Sequence, residues 1–199
     1  MSDALAALEA KEIVPAKPVN LGAAAMFYAT RLGWPVFPIK PRGKSPITRN
    51  GYKDATVDPL VVREWWRKQP DANIGLPTGV REAGGIGYDV IDADGPEGVA
   101  AWIELKHRNC PDGCSTEAFC GASGGFDICA EAFTPGNSSV GKGPGRHVFV
   151  PAAPGVRNGA RIGDRPLDVR ASGGYVLAVP SVNLIGAAYT WVTPPKVPS

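Results

Sequence analysis

The sequence predicts an α+β fold with a largely antiparallel sheet, and three observations carry the prediction. Read in order, its periodicities give α, β, α, β, β, α, a cysteine-rich insertion and then four strands in succession, an order that does not build a doubly wound parallel sheet. Its 25 glycines and 20 prolines favour turns, bent strands and short elements over long helices. Its 44% apolar and 20% charged content is that of an ordinary globular chain, and 199 residues suffice for one compact domain with a full core.

Residues 1–19 read as a peripheral arm, a short helix capped by Ser2 or Asp3 and stopped by Pro15 and Pro18. The next helix starts at Asn20, since Leu21, Ala24, Ala25, Tyr28 and Leu32 recur at helical spacing before Gly33. Trp34 to Ile39 makes a short strand whose prolines mark it as an edge or an interrupted strand. The stiff loop after it displays Lys40, Arg42 and Lys44, either as a solvated turn or as functional cations. Asp58-Pro59 is a cap followed by proline in the first turn, so a helix runs from Leu60 to Lys68. Of its adjacent Trp65 and Trp66, one faces the core and the other is a candidate stacking surface. Asp71 to Gly79 turns into a strand that carries Asn73, with glycines that permit close backbone approach to a ligand. A strand over Gly87 to Gly95 precedes a third helix, Val99 to about His107, with Val99, Trp102, Ile103 and Lys106 on one stripe. Further strands are expected from His147 to Val150, Leu167 to Arg170, Gly173 to Ser181 and Tyr189 to Trp191.

The most informative stretch is Tyr88-Asp89-Val90-Ile91-Asp92-Ala93-Asp94-Gly95. Strand alternation puts Val90, Asp92 and Asp94 on one side and Asp89 and Ile91 on the other, so two carboxylates stand side by side at the end of an apolar strand. They repel and lose solvation unless something positive compensates, and an oxygen-seeking Mg²⁺ or Mn²⁺ is the natural candidate. A turn in which the carboxylates accept local backbone hydrogen bonds is the competing reading.

All four cysteines crowd into Cys110-x₃-Cys114-x₅-Cys120-x₈-Cys129, with His107 just before. This reads as a structural Zn²⁺ site using four of these five residues, within an insertion over residues 107–135; the other reading is uncoordinated thiols in an irregular loop. Residues 134–146 form a Gly/Ser/Pro-rich loop with Lys142 and Arg146 that runs into His147, and glycine-rich backbone beside cations favours phosphate. It is not a Walker loop, because no Gly-Lys-Ser/Thr opens a helix. His147 alone is equally a core histidine. Leu167-Asp168-Val169-Arg170 brings a third carboxylate, with Arg170 on the same face.

An Asp-x-Asp strand, a Gly/Ser-rich loop ending in a strand-borne His and a later hydrophobic-Asp strand, in that order, resemble the three motifs of the archaeo-eukaryotic primase superfamily. The flanking text, Gly33-Trp34-Pro35-Val36-Phe37-Pro38, Trp65-Trp66, Asn73 to Gly79 and Gly173-Gly174-Tyr175, is similar more narrowly to the bifunctional primase/polymerase (prim-pol) domain of phage and plasmid replication proteins, over residues 20–192. The resemblance implies an RRM-like catalytic antiparallel sheet beside a smaller α/β lobe, with nucleic acid between them. It implies that Asp92, Asp94 and Asp168 hold two catalytic Mg²⁺ or Mn²⁺ ions and that His147 contacts the incoming nucleotide's phosphates. Lys44, Arg146 and Arg170 are then expected along the triphosphate, with Asn73 near the sugar or base. The cysteine segment is longer than in many relatives, though some carry a zinc-binding stem there, and Arg146 stands where a small residue is common.

The expected function is therefore DNA-dependent priming and polymerisation, with single-stranded template, primer and dNTP or NTP as partners. A helicase is expected in the same chain or as a separate partner, the Pro-rich residues 193–199 reading as a linker. The alternatives are another metal-dependent nucleotide enzyme, a nuclease or nucleotide-sugar transferase, and an inactive replication-initiation module that only binds DNA. A net charge of +2 excludes a polycation that coats nucleic acid, so any such contact is a local groove. No stretch has the length and apolarity of a membrane span, and the expected location is the cytoplasm of a bacterial or phage-infected cell.

Overall fold

The computed structural model describes residues 20–80, 87–108, 128–136 and 141–197. Helix α1 (Leu21–Arg31) begins at its expected cap, where the Asn20 side chain accepts the Ala23 N–H at 2.9 Å. Helix α2 (Pro59–Lys68) is capped by Asp58, which accepts the Leu60 N–H at 2.8 Å. Trp66 turns into the core and donates its indole N–H to Ala72 O, while Trp65 packs half-buried against the same core and is no freestanding stacking surface. Helix α3 (Gly95–Arg108) starts directly after Asp94, one turn earlier than its apolar stripe predicts, because Pro96 is tolerated in a first turn that needs no N–H from it.

Strands β1 (Phe37–Ile39) and β2 (Asn73–Pro77) pair with β8 (Tyr175–Leu177) in a small sheet of order β1-β2-β8. The proline-containing β1 lies at its edge, as its sequence requires. The larger sheet holds β3 (Tyr88–Ala93), β4 (Ala130–Thr134), β5 (Gly145–Pro151), β6 (Ala160–Arg161), β7 (Asp168–Arg170) and β9 (Thr190–Thr193), in the order β6-β7-β3-β5-β4-β9. Every strand pairing in both sheets is antiparallel, so the α+β expectation stands in its coarse form.

The larger sheet is covered on both faces. Ile91, Ala93, Val148 and Leu167 pack with Trp102 of α3, whereas Tyr88, Val90, Ala132 and Phe149 face the small sheet, α1 and α2. Burial on both sides explains why the apolar residues of β3 fall on both of its faces.

Two strands depart from the expected order. β6 is only two residues long, and β4 lies inside the segment expected to be an insertion yet takes an interior place between β5 and β9. Its sequence, Ala-Glu-Ala-Phe-Thr, is poor in β-branched residues and gains its strand conformation from pairing on both edges. Of the segment expected as an insertion, residues 107–135, His107 and Arg108 thus belong to α3 and Ala130–Thr134 to β4. Cys129 packs against the main core just before β4, while Cys110, Cys114 and Cys120 lie outside the described residues, as does the N-terminal arm.

Trp34 is the aromatic joint between the layers: its ring stacks on Tyr28 (centroids 6.0 Å apart) and Phe149 (5.6 Å) and tilts against Tyr88 (4.5 Å). Trp34→Ala should cost roughly 3–5 kcal/mol, the range for emptying a buried large aromatic site. That is a sizeable part of the ~5–15 kcal/mol that holds a typical domain. The measurement is a urea melt, in which the midpoint should fall with an unchanged m-value; a loss below ~1 kcal/mol would show that the layers are joined elsewhere.

Candidate active site

Antiparallel register places Asp92 of β3 directly opposite His147 of β5 on one side and opposite Asp168 of β7 on the other. Cross-strand partners share a face, so the three side chains leave the larger sheet together, toward the small sheet. Arg170, two residues beyond Asp168, joins them: its Nη2 and Nε donate to Asp92 Oδ2 at 2.8 and 3.1 Å, and Nη2 lies 3.9 Å from Asp168 Oδ2. His147 Nε2 stands 3.5 Å from Asp92 Oδ1, and that oxygen is buried with no hydrogen-bond partner.

Burial works to raise the Asp92 carboxyl pKa, but His147 close beside it and the bonds and charge of Arg170 outweigh that and hold the group well below the usual carboxylate range. Asp92 is therefore an ion inside the fold. Tyr189, with its ring 5.9 Å from that of His147, is pushed up to about 12 by burial and by the negative charge of Asp92 and Asp94. Asp89 takes the opposite face, accepts the Ala153 N–H at 3.1 Å and has its carboxyl pushed up by burial, so it is no part of this cluster.

Asp94 follows the last residue of β3 and is partly exposed, with Lys142 Nζ 2.7 Å from its Oδ2. The Gly-rich loop comes this close because it has no side chain at Gly145, where a Cβ would stand 2.4 Å from Ala93 O. Asp92, His147, Lys44 and Tyr189 form the shared wall of two cavities. One, of about 320 Å³, extends past Arg170 and Tyr175. The other, of about 360 Å³, is bounded by Asp94, Lys142, Arg42 and Leu184. Carboxylates in the floor and cations around the rim suit a ligand that brings both metal ions and phosphates.

Of the residues expected here, the fold brings together Asp92, Asp94, Asp168, His147, Arg170 and Lys44. Two others lie apart. Arg146 neighbours His147 on β5, so alternation sends it to the opposite face, where it pairs with Glu131 at 3.3 Å and lies over the Phe133 ring. Asn73 is fully buried, and its amide is committed to Gly43 O, Val182 O and the Val182 N–H. His107 lies in the last turn of α3 and Cys129 precedes β4; the other cysteines lie outside the described residues. Sequence reasoning missed Tyr189 and left Lys142 unassigned, although the Gly-rich loop around Lys142 was the available signal.

Residues 25–199 match the family described as bifunctional DNA primase/polymerase, N-terminal. The chain belongs to the primase/polymerase family. No curated protein matches it. Membership implies DNA and nucleotides as substrates and nucleotidyl transfer assisted by divalent metals as the chemistry, which sets the primase/polymerase apart from the nuclease and nucleotide-sugar transferase readings. No described helix is long and apolar enough to cross a membrane.

Among the described residues no three His, Cys, Asp or Glu side chains close into a ready-made metal site. Arg170 and Lys142 pair with Asp92 and Asp94 instead. The unpartnered Asp92 Oδ1, buried beside His147 and across from Asp168, is nevertheless an oxygen donor of the kind a hard cation takes.

The Asp92–Arg170 pair sets a pH dependence. A carboxyl whose folded pKa is depressed contributes stability above its unfolded pKa, about 3.9, and loses it as pH falls through the folded value. Arg170→Met removes charge-assisted bonds and should cost roughly 1.5–3 kcal/mol at pH 7. That difference should shrink as pH falls through the folded pKa of Asp92 in the variant, where Asp92 takes up a proton while it is still ionised in the parent. Chemical denaturation of both proteins from pH 7 down to pH ~3 tests this; a pH-independent gap would mean that packing, not charge, holds Arg170.

Proposed function

We propose that this domain is a DNA-dependent primase/polymerase that makes and extends primers through two divalent ions held by Asp92, Asp94 and Asp168. The observation that supports it most is the buried, unpartnered Asp92 Oδ1 on one rung with His147 and Asp168. Bound Mg²⁺ or Mn²⁺ would supply polarisation of the attacking hydroxyl and neutralisation of the triphosphate and departing pyrophosphate.

The residues of the chain do the rest. Asp92, kept ionised, is a fixed negative site at the cleft floor, while Asp94 and Asp168 extend it on either side. His147 presents a ring nitrogen beside this floor and donates to a phosphate oxygen of the incoming nucleotide. Arg170 and Lys44 line the cleft as further phosphate partners, and Lys142, now on Asp94, is placed to shift to phosphate once that carboxylate is occupied. Tyr189 remains a neutral phenol against the His147 ring and fixes its tilt. In this reading β7-β3-β5-β4 is the RRM-like catalytic sheet and α1, α2, β1, β2 and β8 form the smaller lobe, together spanning residues 20–192. The cysteines, Cys110, Cys114, Cys120 and Cys129, with His107 as alternative, hold one structural Zn²⁺; their sequence spacing is the support.

Template-dependent incorporation of labelled dNTP or NTP, with Mg²⁺ and with Mn²⁺, tests the function directly. Asp92→Asn and Asp168→Asn should each lower the rate on the order of 10³-fold, the several kcal/mol that metal-ion stabilisation supplies. Asp168→Asn should leave the melting temperature nearly unchanged, because that carboxylate is 43% exposed. A folded Asp92→Asn protein that extends primers at the parental rate would sink the mechanism, and a parent that binds DNA but incorporates nothing would be the inactive initiation module.

His147→Ala should weaken nucleotide binding about 10- to 100-fold, the value of one charge-assisted hydrogen bond. An unchanged apparent affinity for dNTP, measured by titration, would remove His147 from the nucleotide site. Metal analysis of protein prepared without chelator should find about one zinc per chain, as a closed four-ligand site requires; its absence would return the cysteines to the thiol reading.

A further inference from the structure

The loop between β8 and β9 carries two adjacent large apolar side chains out into solvent, with Leu184 66% and Ile185 49% exposed. It is pinned in that shape. Asn183 Oδ1 accepts the N–H groups of Ile185 (3.1 Å) and Ala187 (2.9 Å), and its Nδ2 donates to Gly136 O (2.6 Å). A bridge between Val182 and Ala188 closes the loop at its base. Ordering two apolar side chains in water stabilises nothing in this fold, so their place calls for a partner.

Their surroundings say which partner. Leu184 bounds the same cavity as Asp94 and Lys142, so the tip stands at the mouth of the catalytic cleft. The exposed cation loop lies against it: the Arg42 guanidinium carbon is 3.8 Å from where a Cβ on Gly186 would stand. Asn73 ties the two loops together, donating to Gly43 O at 3.2 Å and to Val182 O at 2.7 Å and accepting the Val182 N–H at 2.9 Å. Apolar tip and cations therefore form one rigid unit. A patch of two side chains is far below the ~800 Å² per partner of a stable protein interface. It does match what a nucleic-acid strand needs, an apolar surface for a base face beside cations for the flanking phosphates.

The geometry points to the Leu184–Ile185 tip as a wedge on which a base of the single-stranded DNA template stacks at the cleft mouth, with Arg42 on a neighbouring phosphate. This rests on the primase/polymerase reading above and assigns it a template contact. The test is fluorescence anisotropy with a labelled oligothymidine strand and with an abasic strand of the same length, over a range of salt concentrations. Leu184→Ser with Ile185→Ser should weaken oligothymidine binding about tenfold, the order of one apolar side chain's burial against a base, without changing the salt slope. The same double variant should bind the abasic strand as the parent does, and Leu184→Phe should retain the parental affinity for oligothymidine. Arg42→Ala should instead lower the log–log salt slope by about 0.7, one phosphate's worth on a single strand. Unchanged oligothymidine affinity in the serine double variant, an equal loss on the abasic strand, or no strand binding by the parent would each overturn the wedge. If the strand contrasts hold while the parent incorporates no nucleotide, the wedge stands and the polymerase reading falls.

Discussion

Keeping the Asp92 carboxylate ionised inside the protein is the constraint on which the arrangement of this fold depends. A buried unpaired charge is costly enough that it would take up a proton instead, and a neutral acid at the cleft floor would be of no use to a cation. The fold answers with Arg170, delivered by β7, and with His147, delivered by β5. Both strands must therefore flank β3, and both must do so in one register. A slip of a single residue in either pairing would turn the partner to the far face. The paired strands on each side of β3, the α3 layer beneath and the small sheet above all serve to hold that register.

The counter-ions also give the site a definite resting state. Asp92 and Asp94 each meet a basic side chain, one from β7 and one from the Gly-rich loop, so the carboxylates that would repel are neutralised in pairs. The two pairs differ in kind. Arg170 is bonded to a buried oxygen from a strand, whereas Lys142 reaches a half-exposed one from a loop, where a lone ion pair contributes little. Displacing Lys142 is accordingly the easier of the two exchanges.

Much of this was legible in the sequence because the informative residues sit at strand ends and caps, where local rules are strict. Asn20 and Asp58 begin helices by capping chemistry alone, and the alternation of Val90 and Asp92 fixes the face on which the carboxylate emerges. What escaped was whatever depends on neighbours distant in the chain. β4 has little strand propensity of its own and is a strand because β5 and β9 pair with it. Arg146 looked like a companion of His147 because the two are adjacent in sequence, which in a strand is the reason they face apart. Asn73 was expected near the sugar or base, in a strand whose glycines permit close approach to a ligand; its partners are backbone groups of two loops some 30 and 109 positions away. Tyr189 gave no local signal at all.

The two sheets are interlaced along the chain. β2 of the small sheet waits for β8, and β4 of the larger sheet waits for β9, so each sheet gains its last strand only from the C-terminal part of the sequence. During synthesis the edges of β2 and β4 stay unpaired until residues beyond 175 have left the ribosome. Neither sheet can be completed before its late strand has been made, and pairings between strands so distant in sequence form slowly. β2 and β4 thus each keep an open strand edge until those later strands have been made, which leaves extended backbone groups exposed during synthesis.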